Sequence, residues 1–221
     1  MAELALALYA EGTTDDVFLP LIIQRTSRMI LAQYGQNRVQ VVQVEPIKLH
    51  ERPSAREQCI LQATQQATGY RALIVHSDAD HPKAENALKH RILPGFHLVQ
   101  QCTTPICKYL LPIIPIQAIE SWMLADFEML RAEIRTDRSG TELNIPEKAK
   151  HVEAISKPKK RLDAALASVN QTLRPRQRIE LNALYEPLGK KIRLEQLEQL
   201  TSYTRFVHDL TTVLQQLNFI S

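Results

Sequence analysis

Residues 4–10, LALALYA, form an almost unbroken apolar run, the pattern of a central strand buried on both faces. Glu11-Gly12-Thr13-Thr14 interrupts it and brings hydroxyl side chains to the start of the next element. From Asp15 to Gln33 the apolar side chains Val17, Leu21, Ile22, Met29 and Ile30 recur at helical spacing, and Gly35 stops the pattern. Residues 39–44 alternate valines with glutamines, which predicts a second strand. A helix is expected over 56–68, ended by Gly69, and a third strand over 72–76. The loop Asp78-Ala79-Asp80-His81-Pro82 comes after it. A helix over 84–93 is next, then a strand within 106–116, whose limits Pro112 and Pro115 blur. A strongly patterned helix covers 118–131.

Strands alternating with helices predict an α/β domain over residues 1–131, built on a mostly parallel sheet flanked by helices. The remainder changes character. Helical patterns over 147–155, 160–169, 194–200 and 203–217, with Pro158, Pro175, Pro187 and Gly189 marking loops, predict a C-terminal helical extension or subdomain over 132–221, packed on the sheet. A chain of 221 residues is long enough for one substantial core with such an appendage.

Composition narrows the function classes. With 44% hydrophobic and 23% charged residues, the chain is neither disordered nor collagen-like. Only 5% is aromatic, which argues against extended stacking platforms for single-stranded nucleic acid. Cys59, Cys102 and Cys107 are too few for a disulfide framework or a four-cysteine zinc site. Reduced thiols and a cytoplasmic location are the expectation. No run approaches the ~18 apolar residues of a membrane span. The opening segment carries Glu3 and Glu11 and lacks a cationic front, so it reads as a strand and not a signal peptide. Charge is uneven: residues 1–130 hold 11 Lys/Arg against 13 Asp/Glu, and residues 131–221 hold 16 against 11. An acidic front and a basic back suit a protein that holds cations in one place and polyanions nearby; surface drift gives the same figures.

In an open parallel sheet, ligands bind beyond the carboxyl ends of the strands. Glu11 follows the first predicted strand, with Asp15 four residues on. Asp78 and Asp80 follow the third, and Glu120 enters the helix after the last. Three strand ends thus deliver five carboxylates toward one edge, and these would repel one another unless cations neutralised them. Oxygen-only donors favour Mg²⁺ or Mn²⁺. A pair of such ions ~3.5–4 Å apart suits phosphodiester hydrolysis. Each acid also has a plainer reading: Asp15 and Asp16 suit a helix N-terminus, and Asp78 and Asp80 suit a turn before Pro82. His76 reads as a strand residue and His81 as an exposed loop residue. No glycine-rich phosphate loop or Ser/His/Asp order is visible.

A strand running into EGTTD, then LIVHSDAD, resembles the Toprim domains of topoisomerases, primases and OLD-family nucleases. IPIQAIESWMLAD, residues 114–126, resembles the signature of the DUF4276 family of small Toprim-like proteins, as do KPKK at 157–160 and the closing 184–217 stretch. The resemblance implies a divalent-metal-dependent nuclease, a hydrolase of DNA or RNA. Glu11, Asp78 and Asp80 match catalytic and metal-binding acids, and Asp15 and Glu120 match further ligands of Mg²⁺ or Mn²⁺, two ions in all. A downstream lysine near the transition state is implied; Lys157, Lys159 and Lys160 are the candidates, no motif selects one, and Lys159 is taken as the catalytic lysine. The resemblance also implies a separate ABC- or AAA-type ATPase partner, often in antiviral (anti-phage) defence, and leaves a homo-oligomer open.

Lys157, Lys159, Lys160 and Arg161 form the first of three basic clusters in the tail, followed by residues 174–178 and 190–193. Such clusters fit sequence-independent nucleic-acid binding, and solvated helix faces explain them as well. Two other functions compete: a non-catalytic sensor or interaction subunit of an ATPase complex, and a DxD phosphatase-like phosphoryl-transfer enzyme.

Overall fold

In the computed structural model, which describes residues 2–36 and 38–221, the first apolar run is a strand broken once at Ala5, into β1 (Ala2–Leu4) and β2 (Leu6–Tyr9). Helix α1 (Asp15–Gln33) follows with the predicted limits. The second strand is shorter than its pattern suggests. Regular pairing covers β3 (Val39–Val41) and resumes at β4 (Glu45–Pro46). Both segments lie beside the first strand: Val42 N donates to Leu4 O at 3.2 Å and Ile47 N to Leu8 O at 2.7 Å.

Helix α2 (Arg56–Gln66) leads to β5 (Ala72–His76), every residue of which is buried. The single helix expected over 84–93 is instead α3 (Glu85–Ala87), a π-helical stretch over Leu88–Ile92, and α4 (Leu93–Gln101). Pro94 and Gly95 discourage a helix in the sequence, yet Pro94 sits in the first turn, where its missing N–H costs nothing. Gly95 lets α4 approach α2, because a Cβ there would lie 2.7 Å from Ile60.

The last strand, β6 (Leu110–Ile113), pairs with β5. The sheet order is β4-β2-β5-β6, all parallel. The chain lays its second strand on one side of the first and its third on the other, so the order reverses between β2 and β5. Such a reversal opens a crevice at the strand ends.

Side chains alternate across this sheet. Leu6, Leu8 and Ile74 face the larger core, whereas Ala7, Tyr9, Leu73 and Val75 pack with Cys59, Ile60 and Ala63 of α2.

The helix expected over 118–131 breaks into α5 (Glu120–Met123) and α6 (Phe127–Ile134). Asp126 is the reason: its carboxylate accepts from Met129 N at 3.2 Å and so caps a new helix. The proposed boundary between residues 131 and 132 therefore falls inside α6. After it come α7 (Gly140–Leu143), a 3₁₀ stretch Ala149–Ala154, α8 (Pro158–Asn170), short 3₁₀ turns at Pro175–Gln177 and Leu181–Leu184, α9 (Tyr185–Lys191), α10 (Leu194–Leu197) and α11 (Thr201–Gln216).

These helices are an extension of the sheet's core, sharing one continuous set of buried side chains with it. Trp122 stands edge-on to Tyr203, with ring centroids 5.4 Å apart, and donates Nε1 to Ser202 Oγ at 2.7 Å. Arg25 of α1 ties α9 by donating to Gly189 O at 3.0 Å and Ile192 O at 2.5 Å. Among the described residues no helix is long and apolar enough to cross a membrane.

Candidate functional site

The crevice between β2 and β5 is a pocket of about 490 Å³, lined in part by Glu11, Asp15, Asp78, Asp80, Glu120 and Lys159. All five carboxylates and the lysine singled out from the sequence thus reach one cavity. They do so by different routes. Glu11 leaves the end of β2. Gly12 then turns the chain, and its N–H donates to Asp15 Oδ2 at 3.0 Å. A Cβ at Gly12 would lie 2.7 Å from that oxygen, so the glycine of EGTTD is what lets the carboxylate fold back on the turn.

Beyond β5, Asp80 sits in the left-handed region at φ 52°. Two backbone bonds dock this loop on the segment before α5: Ala79 N to Pro115 O at 3.0 Å and Asp80 N to Gln117 O at 2.9 Å. Ile119 N closes the link by donating to Asp78 Oδ1 at 3.1 Å. Glu120, the first residue of α5, is buried, and Tyr185 of α9 donates its hydroxyl to Glu120 Oε1 at 2.6 Å. Burial pushes the Glu120 carboxyl above its ordinary range against the pull of that bond. Burial likewise raises the Tyr185 phenol, reinforced by its bond to Glu120.

Besides Lys159, the acids meet Arg52, Arg56, Arg91 and His76, none of which the sequence marked as a site residue. Glu11 Oε1 takes Arg52 Nη2 at 2.8 Å and also Arg56 Nη1. Arg91 Nη1 donates to Asp80 Oδ2 at 2.7 Å and to Asp78 O at 2.9 Å. His76, the last residue of β5, lies between Asp15 Oδ2 at 3.3 Å and Asp78 Oδ1 at 3.2 Å. Burial alone would lower its pKa, but the two carboxylates prevail and raise it to about 9, so the imidazolium is present at neutral pH. The repulsion expected among the acids is therefore offset by the chain itself. His76 was legible: it closes a strand at the end where ligands bind. The arginines come from α2, the loop before it and the π-helical stretch, and no local spacing links them to the acids.

In each of the five carboxylates, every hydrogen bond and ion pair falls on one oxygen: Glu11 Oε1, Asp15 Oδ2, Asp78 Oδ1, Asp80 Oδ2 and Glu120 Oε1. The second oxygen of each has no protein partner among the described residues. Those five oxygens are a hard donor set, which suits Mg²⁺ or Mn²⁺ in kind. As they stand, no three His, Cys, Asp or Glu side chains among the described residues are grouped to hold a metal ion. Metal ligation therefore requires the carboxylates to draw together from their present partners.

The basic cluster of α8 divides. Lys159 lines the carboxylate pocket, whereas Lys157, Lys160 and Arg161 line a separate cavity of about 440 Å³ beside Asn144 and Ser156. Arg161 is partly spent within it, donating Nη1 to Asn144 O at 2.5 Å. The four residues grouped as one nucleic-acid-binding set thus belong to two cavities flanking the start of α8.

No family model, no curated protein and no solved structure matches this chain.

Proposed function

We propose that the protein is a Toprim-type nuclease dependent on Mg²⁺ or Mn²⁺, hydrolysing phosphodiester bonds of DNA or RNA at the crevice between β2 and β5. The observation that carries this reading is the convergence of five half-free carboxylates and one lysine on a single pocket at the reversal of strand order. Glu11, Asp15, Asp78, Asp80 and Glu120 would hold the cations. A divalent cation bound there would supply Lewis-acid stabilisation and a water of lowered pKa.

The chain's own groups have distinct tasks. Lys159 brings a positive charge to the pocket, suited to a phosphate oxygen. His76 fixes Asp15 and Asp78 from below through one oxygen each, leaving their other oxygens to the pocket. Tyr185 holds a proton against Glu120 Oε1 and keeps that side chain in place. The separate cavity with Lys157, Lys160 and Arg161 fits a polynucleotide strand leaving the site, through salt-dependent phosphate contacts.

The test pairs cleavage with melting. Wild type should cut DNA or RNA in Mn²⁺ and melt at higher temperature with the ion than without it. Asp78→Asn should lose cleavage and keep its fold. Undiminished Mn²⁺-dependent cleavage by Asp78→Asn would sink the mechanism. A wild type indifferent to metal in both assays would favour the non-catalytic subunit.

A further inference from the structure

The arginines paired with the acids of the site are held in unequal ways. Arg56 is pinned: beyond its pair with Glu11, Nε donates to Arg91 O at 2.8 Å and Nη2 to His76 O at 2.7 Å, and its side chain is 16% exposed. Arg52 and Arg91 are half in solvent, at 53% and 42%. Among the described residues Arg52 bonds only to Glu11. Arg91 uses Nη1 alone, shared between Asp80 Oδ2 and Asp78 O, so its Nε and Nη2 have no protein partner among the described residues. Beneath them His76 is 3% exposed and lines the same pocket, its Nδ1 ion-paired with Asp15 Oδ2 at 3.3 Å. The site thus has unspent donors as well as unspent carboxylate oxygens, and the Arg52–Glu11 and Arg91–Asp80 pairs are the exposed, weakly held kind.

We propose that Arg52 and Arg91 are exchangeable counter-cations: they hold Glu11 and Asp80 while no divalent cation is bound, and cation binding releases them to grip the phosphates of the polynucleotide. The inference rests on the nuclease reading for its substrate. Arg91 is suited to the exchange because its bond to the Asp78 carbonyl survives the loss of Asp80, so the guanidinium stays at the rim with its fork of donors open. Guanidinium matches phosphate geometry in two-point contacts. Arg56, fixed by two carbonyls, stays where it is.

The exchange makes removal of a cation improve the binding of metal. Mn²⁺ affinity is measured calorimetrically on wild type, Arg52→Ala, Arg91→Ala and Arg91→Lys, each first checked for an unchanged circular dichroism spectrum. Affinity for DNA and RNA oligonucleotides is measured in Ca²⁺ over a salt series. Each alanine variant should bind Mn²⁺ about two- to five-fold more tightly, the size of a half-exposed ion pair. Each should bind the oligonucleotide more weakly, with a salt slope smaller by about 0.7–0.9 for every phosphate no longer neutralised. Arg91→Lys should restore wild-type Mn²⁺ affinity but not oligonucleotide affinity. Mn²⁺ affinity that is unchanged or weaker in both alanine variants overturns the exchange while leaving the nuclease reading intact. Tighter Mn²⁺ and weaker oligonucleotide binding without cleavage by wild type upholds the exchange and overturns hydrolysis. A wild type that takes up no Mn²⁺ overturns both.

Discussion

Asp126 offers a sharp test of how the tail is fastened to the sheet. Its carboxylate is fully buried, yet it accepts from Met129 N at 3.2 Å, Arg193 N at 3.0 Å, Arg193 Nε at 2.8 Å and Arg193 Nη2 at 2.6 Å. One side chain thus caps α6 and receives a two-point guanidinium fork from the residue before α10. Asp126→Asn keeps a capping oxygen as good as the original. It turns an amide N–H₂ toward two donors and cancels the charge. A hydrogen bond to a charged group contributes about 1.5–3 kcal/mol. Arg193, 51% exposed, recovers part of its loss by hydration, so the expected cost is about 2–3 kcal/mol. Asp126→Ala also forfeits the cap, for a total of about 3–5 kcal/mol.

The pH dependence has a fixed sign. Burial would raise the Asp126 carboxyl, but the Arg193 bonds outweigh it and hold the folded-state pKa below the ordinary carboxylate range. A depressed folded pKa gives stability that is complete above the unfolded value of about 3.9 and is lost as pH falls through the folded one. Urea unfolding should therefore show the full gap between wild type and Asp126→Asn at neutral pH, narrowing below about pH 4. A gap under about 0.5 kcal/mol at neutral pH, or one that does not narrow in acid, would refute the account.

Three further outcomes are expected. Gly95→Ala places a methyl 2.7 Å from Ile60 and should cost about 1–3 kcal/mol by splaying α2 from α4, with Ile60→Val in the same chain recovering part of it in urea melts. Tyr185→Phe removes the donor at Glu120 Oε1, leaving a buried acceptor unpaired at about 1–3 kcal/mol and raising the Glu120 pKa further; in an infrared pH titration the Glu120 carboxylic-acid band should persist to higher pH than in wild type, and an unmoved titration would contradict it. Asp78→Asn in metal-free buffer should lower the melting temperature, because Asp78 stabilises the His76 imidazolium; a rise would mean that repulsion among the acids prevails over that pair.

Much of this architecture is written locally. The unbroken apolar runs before Glu11 and Asp78 carry their own strand signal, and the limits of α1 and β5 follow from spacing alone. What escaped was decided at a distance. The guanidinium fork that Arg193 gives Asp126 spans 67 residues, although the cap by which Asp126 breaks the 118–131 pattern is local. Helix α4 depends on Gly95 finding Ile60. Among the site residues, the acids were legible because a single rule about strand ends selects them. Arg52, Arg56 and Arg91 were not, because a guanidinium reaching over from another element leaves no spacing of its own. Tyr185 was hidden for the same reason.

The shared core has a consequence for how this protein can be divided or inherited. From the tail, Lys159 lines the carboxylate pocket and Tyr185 bonds its Glu120, and Trp122 is covered by Tyr203 and Phe206 of α11. A fragment ending near residue 131 would expose a tryptophan-centred apolar surface and strip Glu120 of its phenol. Such an exposed apolar surface makes the piece an aggregation liability. The α/β half is therefore no free-standing module that recombination could graft onto another chain; sheet and tail have to be transmitted, and altered, as one unit.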